Sequence, residues 1–218
     1  MHKLQQHILK SLTNNASLRY ARLKPEEVEG NAFMYHLKQL IKAGYVEHTD
    51  ENYSLTSQGK LYIDRVRLKT FTAPLQPKIV ILIVARNQAG ELLCFERARN
   101  PLINMVGLPY GKLHIDETLE ESAAREFNKK TGYDADFRYH SSGIMRIREA
   151  GELTSYISFL LVEATNIRGE MLENYRSGRA YWTRLESIPV DKLIPTLNDS
   201  LRLIDENITK FSEFTYDL

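Results

Sequence analysis

Between Gly111 and Tyr133 the chain reads GKLHIDETLEESAAREFNKKTGY, and few arrangements satisfy that spacing. Gly111 is followed by five residues and Glu117, then seven more and Arg125-Glu126-Phe127, with Gly132 and Tyr133 closing the segment. In helical register over about Thr118–Lys130, Leu119, Ala123 and Phe127 fall at i, i+4 and i+8 and form an apolar stripe. Glu126, Lys129 and Lys130 fall at i, i+3 and i+4 and share a different face. The segment therefore reads as loop, helix, loop.

Its surroundings read as sheet. Lys78 opens the apolar run IVILIVA (Ile79–Ala85), a buried strand; Asn87–Gly90 is a turn, and Glu91–Arg99 is a second strand, together a hairpin. Ala135–Arg146, with a candidate break at Ser141–Gly143, and Thr154–Ala164 are further strands. Tyr181–Arg184 is a short strand and Leu197–Ile208 a closing helix. Strands around a central and a terminal helix predict an α/β sandwich of mixed sheets over residues 78–218.

The Gly111–Tyr133 segment resembles a Nudix box, G-x5-E-x7-R-E-U-x-E-E-x-G-U, where U is a bulky apolar residue. The resemblance implies the Nudix α/β/α sandwich. It also implies that positions 126, 129 and 130 are the carboxylates that hold Mg²⁺ or Mn²⁺ against a diphosphate, with Glu117 and Arg125 as a supporting pair. This chain has Glu126 but Lys129 and Lys130, a formal change of +4 on that face. Tyr110 stands at the first of two usual glycines, Asp116 at another, and Val106 where tryptophan is frequent. Glu120, Glu121, Glu163 and Glu173 are the carboxylates left to lend a ligand.

Two readings of the lysines stay open. In one, Lys130 pairs with Glu126 and Lys129 is a solvated surface charge. In the other, both ammonium groups replace the metal and bind nucleotide phosphates, aided by Gly111, Arg97 and Arg99. Trp182 is either core or a platform for a base.

Residues 1–68 follow another pattern. Leu4–Leu12, a short stretch at Pro25–Val28, Ala32–Ala43 and Ser57–Val66 read as helices, with Tyr45–Glu47 and Tyr53–Leu55 as a small hairpin. Phe33, Leu37, Leu40 and Ile41 are its expected inward face, with Gly44 as the cap after the helix. The string YHLKQLIKAGYVEHTDENYSLTSQGKLYI resembles the recognition helix, wing and return of bacterial and archaeal winged-helix regulators. That resemblance implies an N-terminal winged-helix (α+β) domain that places Asn31, Tyr35, Lys38, Gln39 and Lys42 toward duplex DNA, and a homodimer on paired half-sites. The wing tip, Asp50-Glu51, is acidic, which opposes DNA phosphates; dimerisation or protein contact is the competing use. His36 and His48 lack ligand-spaced partners. Residues 69–77, with two prolines nearby, read as a linker.

Charge agrees mildly with this division. Residues 1–70 hold 11 Lys+Arg and 7 Asp+Glu, a balance of +4, and the remaining 18 and 21 give −3. A single cysteine, Cys94 in the apolar run LLCF, excludes an internal disulfide and a multi-thiolate zinc site. The opening MHKLQQH carries no apolar signal core, and no apolar run is long enough to span a bilayer; a cytoplasmic protein without membrane contact is expected. Function then divides into two main classes, with a purely structural or interaction protein, binding neither ligand nor DNA, as a third. One is a nucleotide-sensing regulator with impaired hydrolysis and no required cofactor. The other is a divergent Nudix hydrolase using Mg²⁺ or Mn²⁺ on a linked nucleoside diphosphate.

Overall fold

The computed structural model describes residues 1–172 and 174–218. The chain separates into two compact units, Met1–Leu75 and Gln76–Leu218.

The first unit runs α1 (Lys3–Thr13), β1 (Leu18–Arg19), α2 (Tyr20–Leu23), α3 (Gly30–Lys42), β2 (Val46–Thr49), β3 (Asn52–Leu55) and α4 (Ser57–Arg65). The strands form one antiparallel sheet in the order β1-β3-β2. Ile8, Leu9 and Leu12 of α1 close on Phe33, Leu37 and Leu40 of α3, a stripe at helical spacing from each element. Ile41, expected inside, lies at the rim with 36% exposure. The helix expected at Pro25–Val28 is instead a turn, closed by Val28 N–H donating to the Pro25 carbonyl. The intervening helix forms earlier, at Tyr20–Leu23, where buried Leu23 draws it onto the core.

The second unit contains β4 (Lys78–Ala85), β5 (Leu92–Arg97), β6 (Val106–Gly107), β7 (Tyr110–Lys112), α5 (Leu119–Thr131), β8 (Tyr133–Glu149), β9 (Glu152–Gly169), β10 (Asn174–Tyr175), β11 (Gly178–Thr183), α6 (Thr196–Asp205) and β12 (Phe211–Asp217). They form two mixed or antiparallel sheets, β12-β8-β9-β4-β7 and β10-β11-β5-β6. The expected β4–β5 hairpin is not a paired hairpin. Beyond one bridge, Arg86 with Leu92, the two strands diverge into different sheets. β4 is paired along its length with β9 in parallel, and β5 with β11. β8 runs unbroken through Ser141–Gly143, with a bulge between Tyr139 and Ser141 in place of a break.

The split of β4 explains its continuous apolar run. Val80, Leu82 and Val84 enter one core, with Met145, Ile147 and Leu201, while Ile81, Ile83 and Ala85 enter a second, with Ala123 and Phe127 of α5. A strand buried on both faces has no polar side to alternate with. Cys94 is fully buried in the first core and burial pushes its thiol up to about 12, the behaviour of a small apolar residue. No helix among the described residues is long and apolar enough to cross a membrane.

Candidate functional site

α5 is fixed at both ends by its own sequence. Thr118 Oγ1 accepts from Glu121 N–H at 3.2 Å, and Thr118 N–H donates to Glu121 Oε2 at 2.8 Å, a capping box. Gly132 closes the helix at φ 80°, and a side chain there would lie 2.4 Å from the Glu170 carbonyl. Glu121 is thereby occupied in the cap, and Glu120 is exposed on the first turn.

Arg125 ties the loop before the helix to the helix itself. Its Nη2 donates to Glu117 Oε2 at 2.8 Å and to the Lys112 carbonyl at 3.0 Å, and its Nε donates to Glu117 Oε1 at 2.5 Å. Ser122 Oγ also donates to Glu117. These hydrogen bonds, Arg125's first, hold the Glu117 carboxyl at about 2.

Glu126 is buried, and cations occupy both of its oxygens. Arg125 Nη1 donates to Oε1 and Lys130 Nζ to Oε2, the latter at 2.8 Å. Burial alone would raise this carboxyl; the hydrogen bonds and charges of Lys130 and Arg125 outweigh it, so it stays below its ordinary value. Lys130 is itself only 4% exposed. It also donates to the Tyr110 carbonyl and lies 4.1 Å from the centre of the Tyr110 ring. Desolvation pulls its ammonium below the ordinary value, against the opposing effect of Glu126. Gly111 packs directly beneath Glu126, since a Cβ there would come within 2.0 Å of Glu126 Cγ.

This geometry revises two expected roles. Lys130 is sealed against Glu126 and Tyr110, so it is an internal counter-ion and not an open phosphate ligand. Gly111 makes room for Glu126 and is itself buried, so it is not an open ligand contact. Lys129 alone of the pair is open, with its side chain 44% exposed and 4.0 Å from Glu126 Oε1.

A divalent cation does not fit this donor set. One carboxylate with both oxygens already bonded to cations offers neither free ligands nor the charge a Mg²⁺ site requires. Glu163 is held 3.0 Å from Arg138, on β9, and Glu173 lies outside the described residues. Among the described residues no three His, Cys, Asp or Glu side chains gather into a metal site.

Beside the box is a pocket of about 110 Å³. Val80, Leu82, Leu108, Met145, Ile147 and Ile157 form its apolar walls, with Lys78, Arg97, Tyr110 and Lys112 also lining it and no carboxylate among its lining residues. Arg97 is held by its Nε donating to the Pro101 carbonyl at 2.8 Å and by the Tyr110 ring, 4.7 Å from its Cζ. Arg99 is exposed in the loop past β5 and does not line the pocket. Sequence reading missed Lys78, Lys112 and Tyr110. The signal for the walls was present in the alternation of Val80 with Leu82 and Met145 with Ile147, which puts each pair on one sheet face. A larger open groove of about 1020 Å³ lies at Arg86, Arg184 and Arg202, but Arg86 is paired with Asp205 and Arg202 with Asp199. The smaller pocket, lined by Lys112 of the box and by Tyr110, which packs on Lys130, is the better candidate. Trp182 is half-buried and donates to Tyr133 Oη at 3.1 Å, packed on the second core.

In the first unit, Asn31, Tyr35, Lys38, Gln39 and Lys42 are all exposed on α3. His36 stacks on His2 at 3.9 Å and His48 on Tyr53 at 4.3 Å, so both imidazoles serve packing. The acidic turn between β2 and β3, Asp50-Glu51, is partly neutralised by Arg19, 3.1 Å from Glu51.

A family model described as the NUDIX domain matches residues 76–203. The chain belongs to the Nudix family. It is 25% identical over 133 residues to a protein of Caenorhabditis elegans named as a nudix hydrolase, and spans 35% of that relative's length. Among solved structures, the NUDIX domain of Shewanella oneidensis NrtR, complexed with ADP ribose, is similar at TM-score 0.52 and 18% identity, covering 70% of this chain and 98% of that one. The mutator MutT protein of Bacillus halodurans is similar at TM-score 0.50 and 19% identity, covering 64% of this chain and 90% of that one. Both likenesses concern the Nudix fold.

Proposed function

We propose that the Nudix domain binds a nucleoside-diphosphate-type ligand without hydrolysing it by the family's metal route. We propose further that residues 1–68 form a winged-helix domain through which the chain acts as a dimeric, cytoplasmic DNA-binding regulator, with 69–77 as linker. The observation that carries the first part is the closure of Glu126 by Arg125 and Lys130, which leaves the one carboxylate on that helix face without a free oxygen to chelate. The pocket supports one end of such a ligand: at about 110 Å³ it is smaller than a site for a whole ligand, roughly 300 Å³ or more, but its apolar walls suit a base, and Lys78, Arg97 and Lys112 suit phosphates. Lys129, open at the same helix, is a further phosphate contact. A similar fold holds ADP ribose in the NrtR NUDIX domain. For DNA, support comes from five exposed polar or aromatic side chains on α3, two of them lysines at i and i+4, followed by a small antiparallel sheet.

The test is calorimetric titration with ADP-ribose in EDTA and in excess Mg²⁺, with product analysis alongside. Equal affinity in both, and no turnover, is expected. Mg²⁺-dependent turnover abolished by Glu126→Gln would instead make the chain a divergent hydrolase.

A further inference from the structure

On the open side of α5, two cations converge on one phenol. Lys129 Nζ lies 5.9 Å from the centre of the Tyr175 ring, and Arg176 Cζ lies 5.8 Å from the same ring. Tyr175 comes from β10, the short strand that packs against α5, so the two cations reach the ring from different elements. Both charged side chains are exposed. Among the described residues, the nearest carboxylate to Lys129 is Glu126 at 4.0 Å, already held by Arg125 and Lys130, and Arg176 has no ion pair.

Two exposed cations at one ring create a local positive potential, which an anion held between them would relieve. The field at that point favours negative charge, and the Tyr175 hydroxyl reports it. Desolvation would raise this phenol, but its interactions with Arg176 and Lys129 prevail and leave it below its ordinary value.

We propose that Lys129, Tyr175 and Arg176 form an anion subsite that takes a phosphate or diphosphate group, Arg176 and Lys129 supplying charge and Tyr175 a hydroxyl donor. The inference rests on the nucleotide-binding reading for the chemistry of the anion. Arg176 suits the role because its planar fork meets two phosphate oxygens at once, while Lys129 acts as a point charge. The substitution at position 129 thus has a use that its neighbour at 130 does not share: one lysine seals a carboxylate, and the other turns outward to a second cation.

The probe is inorganic pyrophosphate, titrated calorimetrically into the full chain in EDTA, beside ADP-ribose. Arg176→Ala and Lys129→Ala are each expected to weaken pyrophosphate by about tenfold or more, the loss of one charge-assisted hydrogen bond. Tyr175→Phe is expected to weaken it less, and Lys210→Ala, an exposed lysine outside both the box and the pocket, to leave it unchanged. Thermal melts of the variants should match the parent, since both replaced side chains are exposed. Failure of pyrophosphate to bind, or binding indifferent to Arg176→Ala and Lys129→Ala, overturns the subsite. If ADP-ribose still binds in that case, the nucleotide reading stands without it. If ADP-ribose fails while pyrophosphate binds through Arg176, the subsite stands and the nucleotide reading falls.

Discussion

Lys130 Nζ donates to Glu126 Oε2 at 2.8 Å, one helical turn apart, with both side chains almost wholly out of solvent. In the Nudix-box pattern position 130 would bring a third carboxylate to a shared cation. Here the side chain is itself the cation. The charge that a metal would supply from solution is covalently built into the helix, and Arg125 completes it on the other carboxylate oxygen. The consequences are partly energetic and partly chemical.

Removing Lys130 should destabilise the fold. A buried carboxylate that loses one partner typically costs about 3–5 kcal/mol, and Arg125 remains to hold Glu126, so Lys130→Met is expected at about 3 kcal/mol. Glu126→Gln/Lys130→Met should recover much of that loss, because neither buried charge then remains. Urea unfolding of the two single variants and the double variant measures the coupling. Additive losses would show that the pair is not coupled.

Reversing the substitutions should create the missing metal site. Lys129→Glu/Lys130→Glu places three carboxylates at i, i+3 and i+4 on one face, the arrangement a hard divalent cation favours. Mn²⁺ titration followed by electron spin resonance should show binding in the double variant and none at the box in the parent. Equal binding by both would mean that the lysines do not exclude the metal.

How much of this was legible beforehand depends on whether a feature is local. The spacing from Gly111 to Tyr133 specified α5 within a residue at its start and end, since its cap, apolar stripe and terminal glycine are all encoded in consecutive sequence. The short β6 and β7 strands, and β12, were not seen. β12 alternates exposed with covered residues, but its pairing partner β8 lies some seventy positions earlier, as in Phe211 with Ser142, and nothing local announces a parallel partner. The β4–β5 separation was hidden for the same reason: a turn at Asn87–Gly90 looks alike whether its flanks pair or diverge. At the site, the i+4 pairing of Lys130 with Glu126 was readable. That Lys130 would be buried, and Lys129 exposed, depended on Tyr110 and Tyr175 arriving from other elements.

Gly111→Ala should disturb the box from beneath. The added methyl would meet Glu126 Cγ at 2.0 Å and Glu126 Cβ at 2.4 Å, a collision relieved only by moving α5 or β7. Overpacking of this kind costs about 1–3 kcal/mol. A lower melting temperature with shifted backbone amide signals around Glu126 is expected, and an unchanged melt would refute the close packing.

The Glu117 carboxyl sets an acid limit on stability. Its folded value of about 2 lies below the ordinary 4.5, so the stabilisation is complete above 4.5 and is lost as pH falls toward 2. Unfolding midpoints should therefore decline through that window, and Glu117→Gln should flatten the decline. Because the group is solvent-accessible, the Glu117→Gln difference should shrink in high salt. A profile identical to the parent's would remove Glu117 from the cause.

For DNA, the exposed face of α3 makes a quantitative demand. If Lys38 and Lys42 contact phosphates, each neutralises one, and log Kd should lose about 0.9 of its slope against log salt for each lysine removed. Affinity should fall by similar factors on every sequence, since phosphate contacts carry no base information. Gln39→Ala should behave differently: an amide placed on a base edge affects some sequences more than others and leaves the salt slope unchanged. Fluorescence anisotropy on two unrelated duplexes across a salt series separates these behaviours. A salt slope indifferent to Lys38→Ala/Lys42→Ala would move any DNA contact off α3, and the acidic turn between β2 and β3, with Glu51 already paired to Arg19, gives no alternative source of positive charge.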